Sequence, residues 1–298
     1  MVVLLIGFAL LAAIPAIAED AKPQTGGSGA RTPSMGEVSA KLSNPLSDLW
    51  ALQFENDFNW FDGDIVGGYQ YGSATIFQPI MPFNLSKNWK MITRPIVPLV
   101  TRSPIAGDLK PDGNASFGYK SGLGDITVPL LFSPKKKIGG HLMWGAGPTF
   151  VFPTGSQKGL TTNTWEAGPA LVGVYQTKKI TIGALGQYWW SYATQKSDNT
   201  SHTSHGSIFY FAFYNLPHAW QIGTNPSITY NDTATPGNKW NAPIGLTIRK
   251  TIKIGKTPVK FQIGVSKSIV RQDGFGQDWQ IKLNITPVIP ALVTRQIF

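Results

Sequence analysis

The chain contains no cysteine and has few charged residues for its length. Of its 298 residues, 14% are charged, whereas soluble domains average about 25%. The absence of cysteine excludes disulfides and thiolate metal sites. It does not exclude a barrel of strands, because backbone hydrogen bonds close such a barrel without covalent cross-links. The low charge content is therefore unusual for a soluble domain.

Long apolar runs are also absent after the first 18 residues. Residues 1–18 are nearly all apolar and end in Ala16-Ile17-Ala18, which predicts a signal peptide that is removed on export. The usual positive start is missing, so the natural start is expected upstream. A membrane anchor is disfavoured because the run is short. Residues 19–48 are expected to form a periplasmic leader with local order near Gly36–Leu42.

The formal net charge of +10 is compatible with nucleic acid or with an anionic membrane surface as the partner. The basic residues are scattered, and Lys135–Lys137 is the one dense run. No recognisable nucleic-acid-binding module accompanies it. We therefore expect outer-membrane lipid as a partner and no nucleic acid, with the oligomeric state left open.

The stretch His218–Lys250 divides its side chains between two faces with a period of two residues. Trp220 and Ile222 share one face of the first half, and Ile244 lies on the corresponding face of the second half, after the turn-like segment Thr233–Asn238. This alternation predicts two antiparallel strands. A strand of about ten residues, tilted by about 45°, crosses a hydrocarbon layer, whereas strands of soluble domains average about five or six residues.

Similar segments recur through residues 49–290. We predict an all-β fold, a transmembrane antiparallel β-barrel of about 12 strands, followed by a C-terminal tail at 291–298. Thr101–Leu123 and Ala193–His205 are expected as external loops. The predicted strands are Leu49–Phe58, Gly68–Ile80, Asn88–Val100, Gly124–Phe132, Gly140–Phe152, Thr164–Gln176, Lys179–Tyr192, Gly206–Tyr214, the two within His218–Lys250, Thr257–Ile269 and Asp278–Ile289.

Two sets of residues bear on this barrel in opposite ways. Tryptophans near strand starts predict a membrane girdle, because an indole favours the boundary between hydrocarbon and headgroups. Prolines inside the predicted strands argue against regular pairing, although bulges or rim positions accommodate some of them. The girdle candidates are Trp89, Trp144, Trp165, Trp220, Trp240 and Trp279. The prolines are Pro95, Pro98, Pro129, Pro148, Pro169, Pro226, Pro243 and Pro287.

Several short motifs together resemble one family. They are Phe77–Phe83, Arg94–Pro98, Gly122–Asp125, Gly145–Phe150, Ala167–Ala170, Gln187–Ser191 and Tyr214–Pro217. They are similar to the outer-membrane proteins grouped as meta-pathway phenol-degradation transporters, which are sometimes mislabelled neuromedin U. The resemblance extends over 43–290 and includes the prolines. It implies an outer-membrane barrel that transports small compounds, with aromatic compounds as the suggested class, and it carries over no functional residue.

The leading functional hypothesis is a channel for passive passage of small solutes across the bacterial outer membrane, with no cofactor, no metal and no enzyme activity. About twelve strands leave a narrow or partly plugged interior. A sealed, structural barrel is the first alternative, since charges of both signs also pair to fill a lumen. The candidates for lumen or ligand-binding residues are Glu55, Asp57, Lys90, Arg94, Asp125, Arg249, Lys260 and Lys282.

Two further interpretations stay open. A lipid-modifying enzyme at the barrel rim would use His202 or His205, with Asp198, Ser201 and Ser204 nearby in the sequence, because these are the residue types of a base and a nucleophile. A soluble β protein would instead pack the apolar faces inward and would need shorter strands with polar outer faces.

Overall fold

A computed structural model describes residues 33–195 and 202–297. The predicted signal peptide and the first part of the leader lie outside these residues, as do Asp198 and Ser201. The described elements are helix α1 (Met35–Leu42), the 3-10 turn Pro217–Ala219, and strands β1 (Ala51–Asp62), β2 (Gln70–Asn84), β3 (Trp89–Thr93), β4 (Val97–Leu109), β5 (Ala115–Leu123), β6 (Ile126–Pro134), β7 (Leu142–Phe152), β8 (Thr164–Gln176), β9 (Ile180–Thr194), β10 (Ser204–Asn215), β11 (Trp220–Thr224), β12 (Ser227–Asn231), β13 (Trp240–Ile254), β14 (Thr257–Val270) and β15 (Gly276–Pro287).

These segments form one closed antiparallel barrel of 12 strands, which confirms the predicted fold. Three barrel strands are interrupted once each and therefore appear as the pairs β3 and β4, β5 and β6, and β11 and β12. Strand β1 pairs with β2 on one side and with β15 on the other. Because the last strand pairs with the first, the sheet has no free edge.

The two faces of the strands differ as their alternation predicts. Ile222, Ile244, Ile263 and Ile281 point outward and remain 38%, 52%, 56% and 37% exposed. The polar residues between them point inward and are buried. The apolar faces therefore do not pack against a second layer within the described residues, so the soluble β interpretation is wrong. Among those residues, no helix is long and apolar enough to cross a membrane.

Five of the eight prolines lie where the strand pairing is irregular. Pro95 and Pro226 occupy the breaks inside two barrel strands, and Pro243 lies at a register shift between β13 and β14. Pro148 lies directly opposite Pro169. On the other edge of β7, its pairing with β6 skips residues 147 and 148, and on the other edge of β8, its pairing with β9 skips residues 168 and 169. At these five positions the missing N–H group coincides with an irregularity of the ladder, whereas Pro98, Pro129 and Pro287 lie in register with residues of a neighbouring strand.

The prediction that Thr101–Leu123 is a loop is wrong. Strands β4 and β5 pair with each other from Leu99↔Leu123 to Leu109↔Ala115, whereas β2 pairs with β4 only as far as Arg102. The outer part of this hairpin therefore projects beyond the rest of the sheet. Both of its faces lie outside the apolar band, so its sequence has none of the apolar alternation that reveals the other strands.

The barrel has two distinct ends. The start of β1, the end of β15 and the connections 85–88, 135–141, 177–179, 216–219 and 255–256 lie at one end, which we call the terminal end. The opposite end, called the loop end, carries the connections 63–69, 110–114, 153–163, 195–203, 232–239 and 271–275. Most connections at the terminal end are the shorter ones, an asymmetry typical of outer-membrane barrels.

The candidate girdle tryptophans lie near strand ends and are at least partly exposed. Trp89 and Trp144 meet edge to face at the terminal end, with ring centroids 6.1 Å apart. Trp220 lies at the same end, and Trp165, Trp240 and Trp279 lie near the loop end. Their contact with lipid headgroups stays a prediction.

The outward face gives a test of what surrounds the barrel. Ile263→Arg, near the middle of β14, should lower the free energy of unfolding by about 2–4 kcal/mol, whereas Ile254→Arg at a strand end should cost about 0–1 kcal/mol, because an arginine is most costly at the middle of a bilayer. Urea unfolding of the protein folded into lipid vesicles measures both values. Equal, small effects at the two positions would contradict a lipid-facing band.

Candidate functional site: a plugged lumen

The described part of the predicted leader lies inside the terminal end of the barrel. Helix α1 begins at a capping box, in which Glu37 N donates to Ser34 Oγ at 3.2 Å and Ser34 N donates to Glu37 Oε2 at 2.7 Å. Lys41 lies in its last turn, where a positive charge is favourable beside the helix carbonyls. We call α1 and the following residues, Met35–Asp48, the plug.

Hydrogen bonds from the barrel wall hold the plug on several sides. Ser43 Oγ contacts Gln221 Oε1 at 2.7 Å, and Lys260 Nζ donates to the Leu42 carbonyl at 3.2 Å. Lys90 Nζ donates to the Leu46 carbonyl at 2.7 Å and pairs with Asp48. Wall residues from opposite parts of the barrel thus satisfy plug groups that would otherwise be buried without partners.

Apolar contacts anchor the same segment. Leu46 is 1% exposed and belongs to the buried cluster that contains Ile92, Leu131 and Val172. A Cβ atom at Gly145 would lie 3.1 Å from Leu46 Cδ2, so the wall gives Leu46 room by lacking a side chain there. The plug therefore fits a specific recess in the wall.

Above the plug, the barrel encloses a cavity of about 860 Å³. Leu42, Ser43 and Pro45 of the plug line its floor, and Gln272 and Phe275 line it near the loop end. The cavity therefore occupies the axis of the barrel between the plug and the loops.

A row of polar side chains crosses four neighbouring strands on one wall of this cavity. Glu55 is opposite Asn284, Asn284 is opposite Gln262, and Gln262 is opposite Arg249. Asn284 Nδ2 donates to Glu55 Oε2 at 3.3 Å, and Arg249 Nε donates to Gln262 Oε1 at 2.6 Å. Arg249 also lies over the Phe213 ring, 3.5 Å from its centroid. This part of the wall is rigid because its members bond to each other.

One ion pair joins this row to the next row toward the loop end, and it is the one ion pair of the cavity wall in the described residues. Asp57 is opposite Lys282, and Lys282 Nζ lies 3.1 Å from Glu55 Oε1. Both side chains of the pair are nearly buried, with 13% and 9% exposed. Lys282 therefore balances carboxylate charge inside the barrel.

Three further cations line the cavity. Arg94 lies at the break between β3 and β4, and its Nη2 donates to Gln53 and Gln78, each at 3.3 Å. Arg249 and Lys260 are 4% and 2% exposed. Arg94 continues the inward alternation of Lys90 and Ile92 on β3, and the break at Pro95 follows directly after it.

The opposite wall is largely apolar, although Gln187 on β9 and Ser207 on β10 also line the cavity. Its lining comes from β6, β9 and β10 and includes Leu131, Leu185, Phe209 and Phe211. Aromatic residues occupy both faces of β10, so the sequence alone does not separate the inward from the outward ones. The cavity is therefore two-sided, with a polar, cationic wall facing an apolar one.

The structure brings most of the predicted lumen residues together. Glu55, Asp57, Arg94, Arg249, Lys260 and Lys282 line the cavity. Lys90 instead holds the plug. Asp125 accepts hydrogen bonds from Gly155 N at 3.0 Å and Thr162 N at 2.8 Å, so it orders the connection 153–163. A role in ligand binding stays a prediction for all of them.

The histidine of the enzyme hypothesis has a carboxylate partner. His205 Nε2 lies 2.6 Å from Glu166 Oε2, and its ring stacks on Trp189 with centroids 5.1 Å apart. Glu166 also accepts hydrogen bonds from Thr164 and Thr203, at 2.8 and 2.7 Å. This cluster ties β8 to the start of β10 near the loop end.

The position of His205 does not fit lipid chemistry at the outer rim. It shares a strand face with Ser207 and Phe209, which line the cavity, so it points inward. The hydroxyl of Ser204 is hydrogen-bonded to the hydroxyl of Tyr188, with 2.8 Å between the two oxygens. His202 is exposed and precedes β10. No hydroxyl hydrogen-bonds to His205 in 33–195 and 202–297, and no group of three or more potential metal ligands is found there.

Comparison with solved structures supports the fold. An outer-membrane channel from Pseudomonas putida F1 superimposes with a TM-score of 0.58 at 15% identity, covering 81% of this chain and 96% of that chain. The NanC porin gives 0.47 at 11% identity, with 80% and 99% covered. A FadL homologue from Pseudomonas aeruginosa gives 0.41 at 10% identity, with 85% and 94% covered.

No protein-family model matches the chain, and no curated protein matches it. At 15% identity the similarity to the Pseudomonas putida channel extends to the barrel architecture and to neither substrate nor mechanism. The chain is therefore an outer-membrane type β-barrel by fold, and the resemblance to phenol-degradation transporters stays an expectation.

Charge balance in the lumen gives a stability test. Lys282→Met should lower the free energy of unfolding by about 3 kcal/mol, because it leaves carboxylates buried without their cation. Adding Glu55→Gln should restore a large part of that loss. Urea unfolding in vesicles measures both, with the exposed Lys253→Met as the matched control. If the single and double variants unfold at the same urea concentration, Lys282 does not balance Glu55.

Proposed function

We propose that the protein is an outer-membrane transporter that lets small hydrophobic or aromatic solutes pass passively through the lumen. The observation that supports this most directly is the cavity of about 860 Å³ above a separate plug. A cavity of this size is typical of small-molecule sites, and its apolar wall suits a hydrophobic solute. The barrel wall need not open for passage along this axis, because among the described residues the plug is the one segment that fills the terminal end.

The way the plug is held is compatible with its movement. Within Met35–Asp48, the contacts with the wall are mainly side-chain hydrogen bonds and apolar packing, rather than strand pairing. A hydrogen bond to a charged group contributes about 1.5–3 kcal/mol net, and one between neutral groups about 0.5–1.5 kcal/mol. A shifted plug would lose these contacts, but the ladders that close the barrel would stay intact.

The proposed location is the bacterial outer membrane, reached through the predicted signal peptide. The terminal end would face the periplasm, with the leader, and the loop end would face outward. The outward isoleucines would contact lipid, and the tryptophans near the strand ends would meet the headgroups.

A sealed barrel is the second candidate, and the plug itself favours it. Its contacts fill the terminal end, and small barrels also stabilise themselves by filling their interiors. Transport and a sealed barrel differ in one respect, which is whether solute crosses the membrane when the plug is free to move.

A reversible cross-link separates these two functions. The chain has no cysteine, and Ser43 of the plug contacts Gln221 of the wall. We expect the double variant Ser43→Cys with Gln221→Cys to lose uptake when a short bis-methanethiosulfonate joins the two cysteines through disulfides, because this bridge holds the plug in place. Reduction of the bridge should restore it. Swelling of liposomes in phenyl glucoside, a neutral aromatic solute, measures uptake.

Each single cysteine variant, treated with the same reagent, is the control and should swell like the wild type. If neither the wild type nor the reduced double variant swells faster than protein-free liposomes, the barrel is sealed. If the bridged and reduced forms swell equally, the solute path does not pass the plug.

A further inference from the structure

The cationic wall of the cavity has more positive than negative charge. The charged residues that line the cavity are four cations, Arg94, Arg249, Lys260 and Lys282, and two carboxylates, Glu55 and Asp57. Lys282 is paired with Glu55. None of the other three cations lies within ion-pair distance of a carboxylate in the described residues.

These three cations are buried and lie near one another. Arg249 and Lys260 reach consecutive plug residues, since Arg249 Nη1 donates to Ser43 Oγ at 3.1 Å and Lys260 Nζ donates to the Leu42 carbonyl at 3.2 Å. Arg249 and Lys260 lie on the adjacent strands β13 and β14, and Arg94 is linked through Gln53 to Glu55, the carboxylate nearest to the three. Three basic side chains therefore share one region of the cavity floor and wall with a single nearby carboxylate, which Lys282 already pairs.

Their hydrogen bonds go to neutral groups, and some donor groups at the site have no hydrogen-bond partner among the described residues. Arg94 bonds to two glutamine side chains, and its Nε has no partner. The Nε2 of Gln262, beside Arg249, also has none. Buried charge without a counter-ion costs free energy, and an anion would lower that cost by accepting from these groups.

The opposite, apolar wall determines what kind of anion fits. A small inorganic anion would satisfy the cations and leave the surfaces of Phe209, Phe211 and Leu185 uncovered. A carboxylate on an aromatic or aliphatic body would contact both walls. The cavity of about 860 Å³ has room for such a molecule.

We propose that the lumen binds an amphipathic organic anion, with its carboxylate at Arg94, Arg249 and Lys260 and its apolar body against Phe209, Phe211 and Leu185. This inference rests on the proposed function in that the anion would be the solute carried. Binding itself is measured separately from passage.

Calorimetry on the full chain in lipid nanodiscs tests the site, with empty nanodiscs as the blank. The probe is 4-butylbenzoate, compared with the neutral 4-butylbenzamide and with acetate. We expect saturable binding of the benzoate. The affinity for the amide should be lower by about tenfold or more, because a hydrogen bond to a charged group is stronger than one between neutral groups. Acetate, which lacks the apolar body, should also bind more weakly.

Variants then locate the site. Arg94→Gln and Arg249→Gln should each weaken benzoate binding about tenfold or more and leave amide binding unchanged. Arg94 makes no hydrogen bond to the plug among the described contacts, so its effect does not depend on plug position. Lys253→Gln, an exposed cation, is the matched control. Heat-modifiable gel mobility checks that each variant forms the barrel.

Equal affinity for the acid and the amide, or unchanged benzoate binding in both arginine variants, would overturn the proposal. Tighter binding of acetate than of benzoate would assign the site to small anions instead. Specific benzoate binding without any swelling in phenyl glucoside would leave the anion site standing and refute passage of the neutral solute. Swelling in phenyl glucoside without benzoate binding would support passage of the neutral solute and refute the anion site.

Discussion

The pairing of β1 with β15 is the interaction on which the rest of the structure depends. In a hydrocarbon layer every backbone N–H and C=O group needs a partner inside the protein, and this pair, running from Phe54↔Ile285 to Asp62↔Gly276, removes the last free edge. Closure fixes which side chains face inward on all strands, since a shift of one residue would exchange the two faces. The apolar band outside and the polar row inside are thus two results of one set of hydrogen bonds.

Closure with 12 strands also leaves a lumen that wall side chains do not fill by themselves. The terminal end is filled by the plug, with Leu46 seated beside Gly145. The middle is left as a cavity with a cationic and an apolar wall. A barrel that only needed to be full could use large apolar residues throughout its interior, at lower cost than buried arginines. The presence of Arg94, Arg249 and Lys260 inside the barrel is easier to explain by a ligand than by packing.

Strict alternation makes the fold and much of the cavity predictable from the sequence. Strands β13, β14 and β15 carry one apolar and one polar face, so alternation alone is enough to place Arg249, Lys260 and Lys282 in the lumen. Where alternation fails, prediction fails for physical reasons. The hairpin of β4 and β5 extends beyond the apolar band, and the inward phenylalanines of β10 alternate with outward aromatic residues. The plug is recognisable only by its capping box, because long-range contacts place it.

Two of the cavity cations also hold the plug, and this links the two parts of the site. Arg249 donates to Ser43 Oγ, and Lys260 donates to the carbonyl of Leu42. Both acceptors are neutral, and a carboxylate accepts hydrogen bonds from such donors more strongly than a hydroxyl or a carbonyl does. An anion bound at these cations would therefore compete with the plug for the same donors. If the proposed anion binds there, occupation of the cavity and retention of the plug would be opposed, and a solute bound above the plug would weaken the contacts that keep it in place.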